Sequence, residues 1–253
     1  MSKPYTALAA LYDRIMAHVE YDRWAAYIHT IIAKYLATTT PRLFEIGGGT
    51  GILGNILTKS GIHYYGSDYS PAMCSMAKNH CLSFITADAR LLPVKKSAAF
   101  DMALFLYDGI NYLHTLEDYQ KTFVQVHSIL KPEGLFLFDI TTLENSINNF
   151  YDFIDAEDFG DYSFIRRSFF NTQDALQFNE FTIFHKVPAT RKHTAAVYRK
   201  YREQHIQKVF TVKAIKDAIP PSLFDITGIW DNYSFRRYTV HSERVHFLLR
   251  KVS

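Results

Sequence analysis

Two cysteines in 253 residues, Cys74 and Cys81, are too few for a disulfide-stapled secreted scaffold. Their seven-residue spacing puts both on one helix face if the helix runs that far, and buried free thiols are the expected reading. No apolar run approaches the roughly 20 residues a membrane span needs. The opening "MSKPYTALAA" lacks the apolar core of a signal peptide, so a cytoplasmic location is expected. A net charge of +3 is too small to argue for nucleic acid or a membrane surface. The eleven histidines are scattered, with no metal spacing, and no metal is expected. His241 and His246 fall on opposite faces of any strand they share. Internal repeats and low-complexity tracts are absent too. What the chain has in excess is aromatic residues, 15% of the total, which crowd its second half and suit strands and binding surfaces there.

Apolar spacing predicts two helices within residues 5–37, broken by "TTTP" at 38–41. Short strands and helices then alternate: "RLFEI", a helix over 51–60, "IHYYGSD", a helix opening at Pro71, "LSFITAD", "FDMALFLY", a helix over 116–130 and "LFLFDI". Strands that are apolar almost throughout and separated by helices imply a parallel sheet covered on both faces. After Ile140 the texture changes to long, alternating, aromatic stretches such as "ALQFNEFTIFHKV", which read as an inserted antiparallel sheet. Acidic residues precede it (Asp152, Asp155, Glu157, Asp158, Asp161) and read as a solvated loop; basic ones inside it, among them Arg191 and Lys192, read as a solvated face. "TVKAIKDAI" reads as a last helix, with "LFDITGIWD" and "ERVHFLLRK" as closing strands.

The glycine turn "LFEIGGGTGILG" at 43–54 fits two templates. Gly49, Gly51 and Gly54 satisfy the dinucleotide pattern G-x-G-x-x-G, which keeps a nicotinamide oxidoreductase open as a reading. Glu45, Gly47, Gly49 and Gly51 satisfy E-x-G-x-G-x-G, where the acid would repel a pyrophosphate but welcome a sulfonium and an ammonium. Asp68, closing the second strand, serves ribose hydroxyls in either case. Asp88, after the third, could accept from an adenine amino group.

In order, "FEIGGGTG", "GSDYSPAM", "TADARLLP", "FDMALFLYDGINYL" and "LKPEGLFLFDI" resemble the successive motifs of class I methyltransferases that use S-adenosylmethionine (SAM). "LYDRIM" and "EYDRW" resemble a bacterial small-molecule subgroup with an N-terminal Y-D-x-x-M helix and an inserted antiparallel sheet. The resemblance implies an α/β fold with a Rossmann-like seven-stranded methyltransferase sheet. Residues 1–140 and 211–253 would form the SAM-binding domain, with 1–40 as a helical cap; 141–210 would form the inserted lid or substrate subdomain. It also implies site roles. Gly47 and Gly49 pass under the methionine part of SAM and Glu45 supports its ammonium; Asp68 takes the ribose. Tyr69 and Met73 flank the adenine, which Asp88 and Ala89 read. Leu106 and Tyr107 sit near the methyl, and Tyr12 folds over the methionine end.

No catalytic base is assigned; Tyr12, Tyr107 and His114 are candidates. "YDGI" stands where nucleobase-amino methyltransferases carry (N/D)-P-P-(Y/F), so a small-molecule acceptor, with an N or O nucleophile, is expected. An RNA-directed enzyme using the basic inserted sheet is the other alternative. The insert is expected to form the acceptor pocket and to leave the SAM site independent of it.

Overall fold

The computed structural model describes residues 4–80, 83–94, 100–188 and 196–252. A short 3-10 turn at Leu8–Ala10 and a one-turn helix α1 (Tyr12–Ile15) precede helix α2 (Tyr21–Tyr35). The first expected helix is therefore only fragments, and Val19 lies between it and α2. Then follow β1 (Arg42–Ile46), α3 (Ile52–Lys59), β2 (His63–Asp68), α4 (Pro71–Ala77), β3 (Ser83–Thr86), β4 (Phe100–Phe105), α5 (Leu116–Ile129) and β5 (Leu130–Thr141). The second half holds α6 (Leu143–Phe150), β6 (Asp152–Asp158), β7 (Tyr162–Asn171), β8 (Leu176–Val187), β9 (Val197–Lys208), α7 (Val212–Ala218), β10 (Phe224–Asp231) and β11 (Arg244–Lys251).

Seven strands form one sheet in the order β10-β11-β5-β4-β1-β2-β3. β1 to β5 run parallel, and β11 pairs antiparallel with both β5 and β10. β1 and β4, each with two neighbours, bury nearly every residue, so apolar side chains serve both faces. One face packs Phe44, Phe136, Phe138 and Phe247 under α5, which contributes Phe123, and α7; the other packs Leu43, Met102, Leu104 and Leu137 under α2 and α3. The helix starts are chemically marked. Ser70 Oγ accepts from Met73 N at 3.3 Å with Pro71 in the first turn, and Thr115 Oγ1 accepts from Asp118 N at 3.1 Å.

A second, four-stranded antiparallel sheet, β6-β7-β8-β9, is inserted between β5 and α7. Two elements here differ from the sequence reading. Residues 143–150 form a helix capped by Thr142 Oγ1, and the acidic stretch read as a solvated loop is the edge strand β6. Its Asp155 pairs bidentately with Arg166 at 2.8 and 2.9 Å, and its carboxylates line an open sheet edge, where charge discourages pairing with other chains. Cys74 is a buried free thiol on α4; Cys81, Arg191 and Lys192 lie outside the described residues. His241 lies in a turn before β11, so it shares no strand with His246. Among the described residues no helix is long and apolar enough to cross a membrane, and no group of His, Cys, Asp and Glu could hold a metal.

Candidate functional site

Parallel strands bring their C-terminal ends to one edge of the sheet, where turns leave room for a ligand. After β1 the chain turns at Gly47 and Gly49, with φ of +66° and +58°. A Cβ at Gly47 would stand 3.0 Å from the Phe105 ring, so a side chain there is disfavoured by conformation and would have to push the ring aside. Asp68, at the end of β2, fixes the turn: its Oδ2 accepts from Gly49 N at 3.0 Å and its Oδ1 from Ser70 N at 2.8 Å. Thr50 Oγ1 donates to Asp13 Oδ1 at 2.5 Å, which ties α1 to the glycine turn and gives the aspartate of "LYDRIM" a structural partner.

Two adjoining cavities open at this edge. The larger, about 260 Å³, is bordered by Gly47, Gly49, Asp68, Tyr69, Met73, Asp88 and Ala89 together with Leu106, Tyr107 and Tyr12. Glu45 lines the smaller, about 50 Å³, beside Tyr21 and Trp24; Tyr12, Gly47, Gly49, Leu106 and Tyr107 border both. All eleven residues singled out from the sequence thus border one or both of these adjoining cavities.

Its electrostatics are acidic at the floor. Burial pushes Glu45 up to about 7, against a hydrogen bond from Tyr64 OH that favours the carboxylate and with the Asp68 charge adding to the rise. Burial likewise lifts Asp68 to about 6, opposed by the two backbone N–H groups. Both carboxylates carry the ordinary cost of a buried negative charge, which a cationic ligand relieves and an anionic one aggravates. SAM, with a sulfonium, an ammonium and no phosphate, fits this floor; a pyrophosphate does not.

Asp88 is more occupied than its sequence context suggests. Arg90 grips it through Nε to Oδ1 at 2.9 Å and Nη2 to Oδ2 at 2.7 Å, while Arg90 N also donates to Oδ1 at 2.9 Å. That guanidinium holds the Asp88 carboxyl below its usual range, and the three bonds leave one lone pair, on Oδ2, without a partner among the described residues. Burial raises the Tyr12 phenol well above its ordinary value and Tyr107 to about 12, so both are hydroxyl donors at neutral pH. His114 does not border either cavity; its Nε2 sits 3.0 Å from the Ile206 carbonyl.

Several participants escaped the sequence reading. Tyr5 and Tyr112 border the larger cavity and join hydroxyl to hydroxyl at 2.7 Å. Arg244, on β11, bonds to Asp139 and, at 2.8 Å, to Asp108, and lies over the Tyr107 ring at 4.6 Å. Tyr107 and Asp108 both have positive φ, 57° and 53°, and this Arg–carboxylate group, with Gln207 Nε2 on Asp108 Oδ2 at 2.6 Å, holds that turn in place.

Residues 44–138 match the family model described as a methyltransferase domain. The putative methyltransferase YqeM of Bacillus subtilis (strain 168) is 26% identical over 252 residues, covering 98% of this chain and 97% of that protein. An S-adenosylmethionine-dependent methyltransferase from Clostridium acetobutylicum ATCC 824 shares the fold with a TM-score of 0.81 at 21% identity, covering 98% of this chain and 99% of the other. The sugar N-methyltransferase KedS8 from Streptoalloteichus sp ATCC 53650 shares it with a TM-score of 0.75 at 14% identity, covering 95% and 91%.

Proposed function

We propose that the chain is a class I SAM-dependent methyltransferase that methylates a nitrogen or oxygen nucleophile of a small molecule in the cytoplasm. The observation that carries the acceptor reading is the size and enclosure of the site. The two cavities, about 260 and 50 Å³ and both bordered by Tyr12, with Tyr5 and Tyr112 along the larger, are of small-molecule size and do not admit a folded polymer. The sugar N-methyltransferase with the same fold supports an amine of that size.

When bound, SAM supplies a methyl group already activated by the positive sulfur. The protein's part is alignment, which by itself contributes about 7–11 kcal/mol in well-oriented systems. In this reading Glu45 pairs with the ammonium and Asp68 accepts from the ribose hydroxyls. Tyr69 and Met73 hold the adenine, whose edge Asp88 and Ala89 read. Gly47 and Gly49 let the backbone pass beneath the methionine portion. Leu106, Tyr107 and Tyr12 surround the reacting carbon with low-polarity surface and exclude water from it. A neutral amine needs no base to attack; a protonated amine or a hydroxyl needs one, and the raised phenols of Tyr12 and Tyr107 are poorly suited to that task.

The test is incubation with methyl-labelled SAM and, separately, a panel of small amines and alcohols including amino sugars, bulk RNA, and a protein extract. Label is expected in a small-molecule product with S-adenosylhomocysteine (SAH) as co-product. Label entering only RNA or protein would overturn the acceptor reading, and the former would restore the basic inserted sheet as a binding face.

A further inference from the structure

We propose that Glu203, on β9 of the inserted sheet, is a positioning residue of the cofactor site. It acts through the N-terminal segment that roofs the cavity, and the inference rests on the SAM reading above. Glu203 Oε1 accepts from three consecutive backbone N–H groups, Thr6 and Leu8 at 3.1 and 3.2 Å and Ala7 between them. These donors open the short 3-10 turn at Leu8–Ala10, so a carboxylate almost two hundred residues away fills the role that a local side-chain cap leaves empty. The carboxylate is almost wholly buried, at 1% exposure. Burial pushes its pKa up, but His205 and the N–H groups of Ala7 and Leu8 outweigh that and hold it low, so it stays charged.

The segment it holds spans the cavity. On the far side Ser70 Oγ, at the start of α4, donates to the Tyr5 carbonyl at 2.8 Å. Between those two anchors Tyr5 adopts a φ of 57°, and its ring meets Tyr12 edge-on at 5.7 Å and His205 at 4.4 Å. Its hydroxyl continues through Tyr112 to His205 Nδ1, 3.1 Å further on. Beneath it, Leu8 and Leu11 pack on Phe164, Phe181 and Ile183 of the inserted sheet. His205 Nε2 and Glu203 Oε2, 3.5 Å apart and buried, have no other hydrogen-bond partner among the described residues, so the pair is committed to one another and to this segment. On this reading the insert, though none of its strands borders either cavity, reaches the cofactor site through the N-terminal segment.

The experiment is calorimetry with SAH on the full chain, paired with amide exchange read by mass spectrometry. Glu203→Ala is expected to weaken SAH binding roughly tenfold, and Glu203→Gln, which keeps an acceptor oxygen, about threefold. Exchange should quicken over residues 4–12 while β7 and β8 keep their protection. Unchanged SAH affinity in a folded Glu203→Ala chain overturns the proposal. So does faster exchange spread evenly over the inserted sheet, which marks a general structural role. If Glu203→Ala does not fold, Glu203→Gln is read by the same two criteria. Failure of the wild-type chain to bind SAH is a different result, since it removes the cofactor reading itself.

Discussion

Glu45 offers a quantitative test of the cofactor assignment, because its charge is poised close to neutrality. Burial raises it to about 7, so about three quarters of the molecules carry the carboxylate at pH 7.5 and about a tenth at pH 6.0. If the ammonium of the ligand binds only the ionised form, SAH affinity falls about eightfold over that interval, or ~1.2 kcal/mol. The direction is fixed by the sign of the shift. A raised carboxyl is protonated as pH drops through its folded value, so cation binding is strong above that point and lost below it. Asp68, raised to about 6, adds about a further twofold through the ribose. 5′-Methylthioadenosine shares the ribose and lacks the amino-acid part, so it separates the two. Calorimetry at pH 6.0, 6.75 and 7.5 should give the eightfold excess for SAH over methylthioadenosine in the wild type and none in Glu45→Gln. Equal pH dependence for both ligands, or a steep SAH profile surviving in Glu45→Gln, would refute the pairing of Glu45 with the ammonium.

Asp68→Ala should weaken SAH by at least tenfold, since charge-assisted bonds are worth about 1.5–3 kcal/mol each and Gly49 N and Ser70 N also lose their acceptor. Asp68→Asn, which keeps an acceptor oxygen, should recover part of that loss in the same titration. Gly47→Ala places a Cβ 3.0 Å from Phe105 at a φ of +66°, and should cost about 1–3 kcal/mol of stability in urea unfolding along with SAH affinity. Arg244→Met strands Asp108 and the fully buried Asp139 without their counter-charge, so a loss of about 3–5 kcal/mol and a melting point lower by roughly 10 °C are expected by calorimetry. A melting point within a degree or two of wild type would show that the cluster is not holding the Tyr107–Asp108 turn.

The legible parts of this fold and site are those where signal is local. Strand β1, the glycine turn and Asp68 are read from contiguous residues, because an apolar run, a left-handed turn and a strand-end acid each leave a mark within a few positions. Pro71 behind Ser70 marked α4 in the same way. β6 was missed because an edge strand carries charge where a central one carries valine. α6 was missed although Leu143, Ile147 and Phe150 recur at helical spacing behind the cap at Thr142, because two turns make a short signal beside the long alternating stretches that follow. Tyr5, Arg244 and Glu203 were beyond reach for a different reason. Glu203 meets Ala7 across 196 positions and Arg244 meets Asp108 across 136, and no spacing rule links residues that only the folded topology brings together.

The most direct measurement is a titration of SAH and NAD, in parallel, into the purified 253-residue chain by calorimetry. One saturable site for SAH and no heat with NAD is the result expected from the acidic floor formed by Glu45 and Asp68. Saturable NAD binding with no response to SAH would contradict it and return the glycine turn at 47–51 to the dinucleotide template.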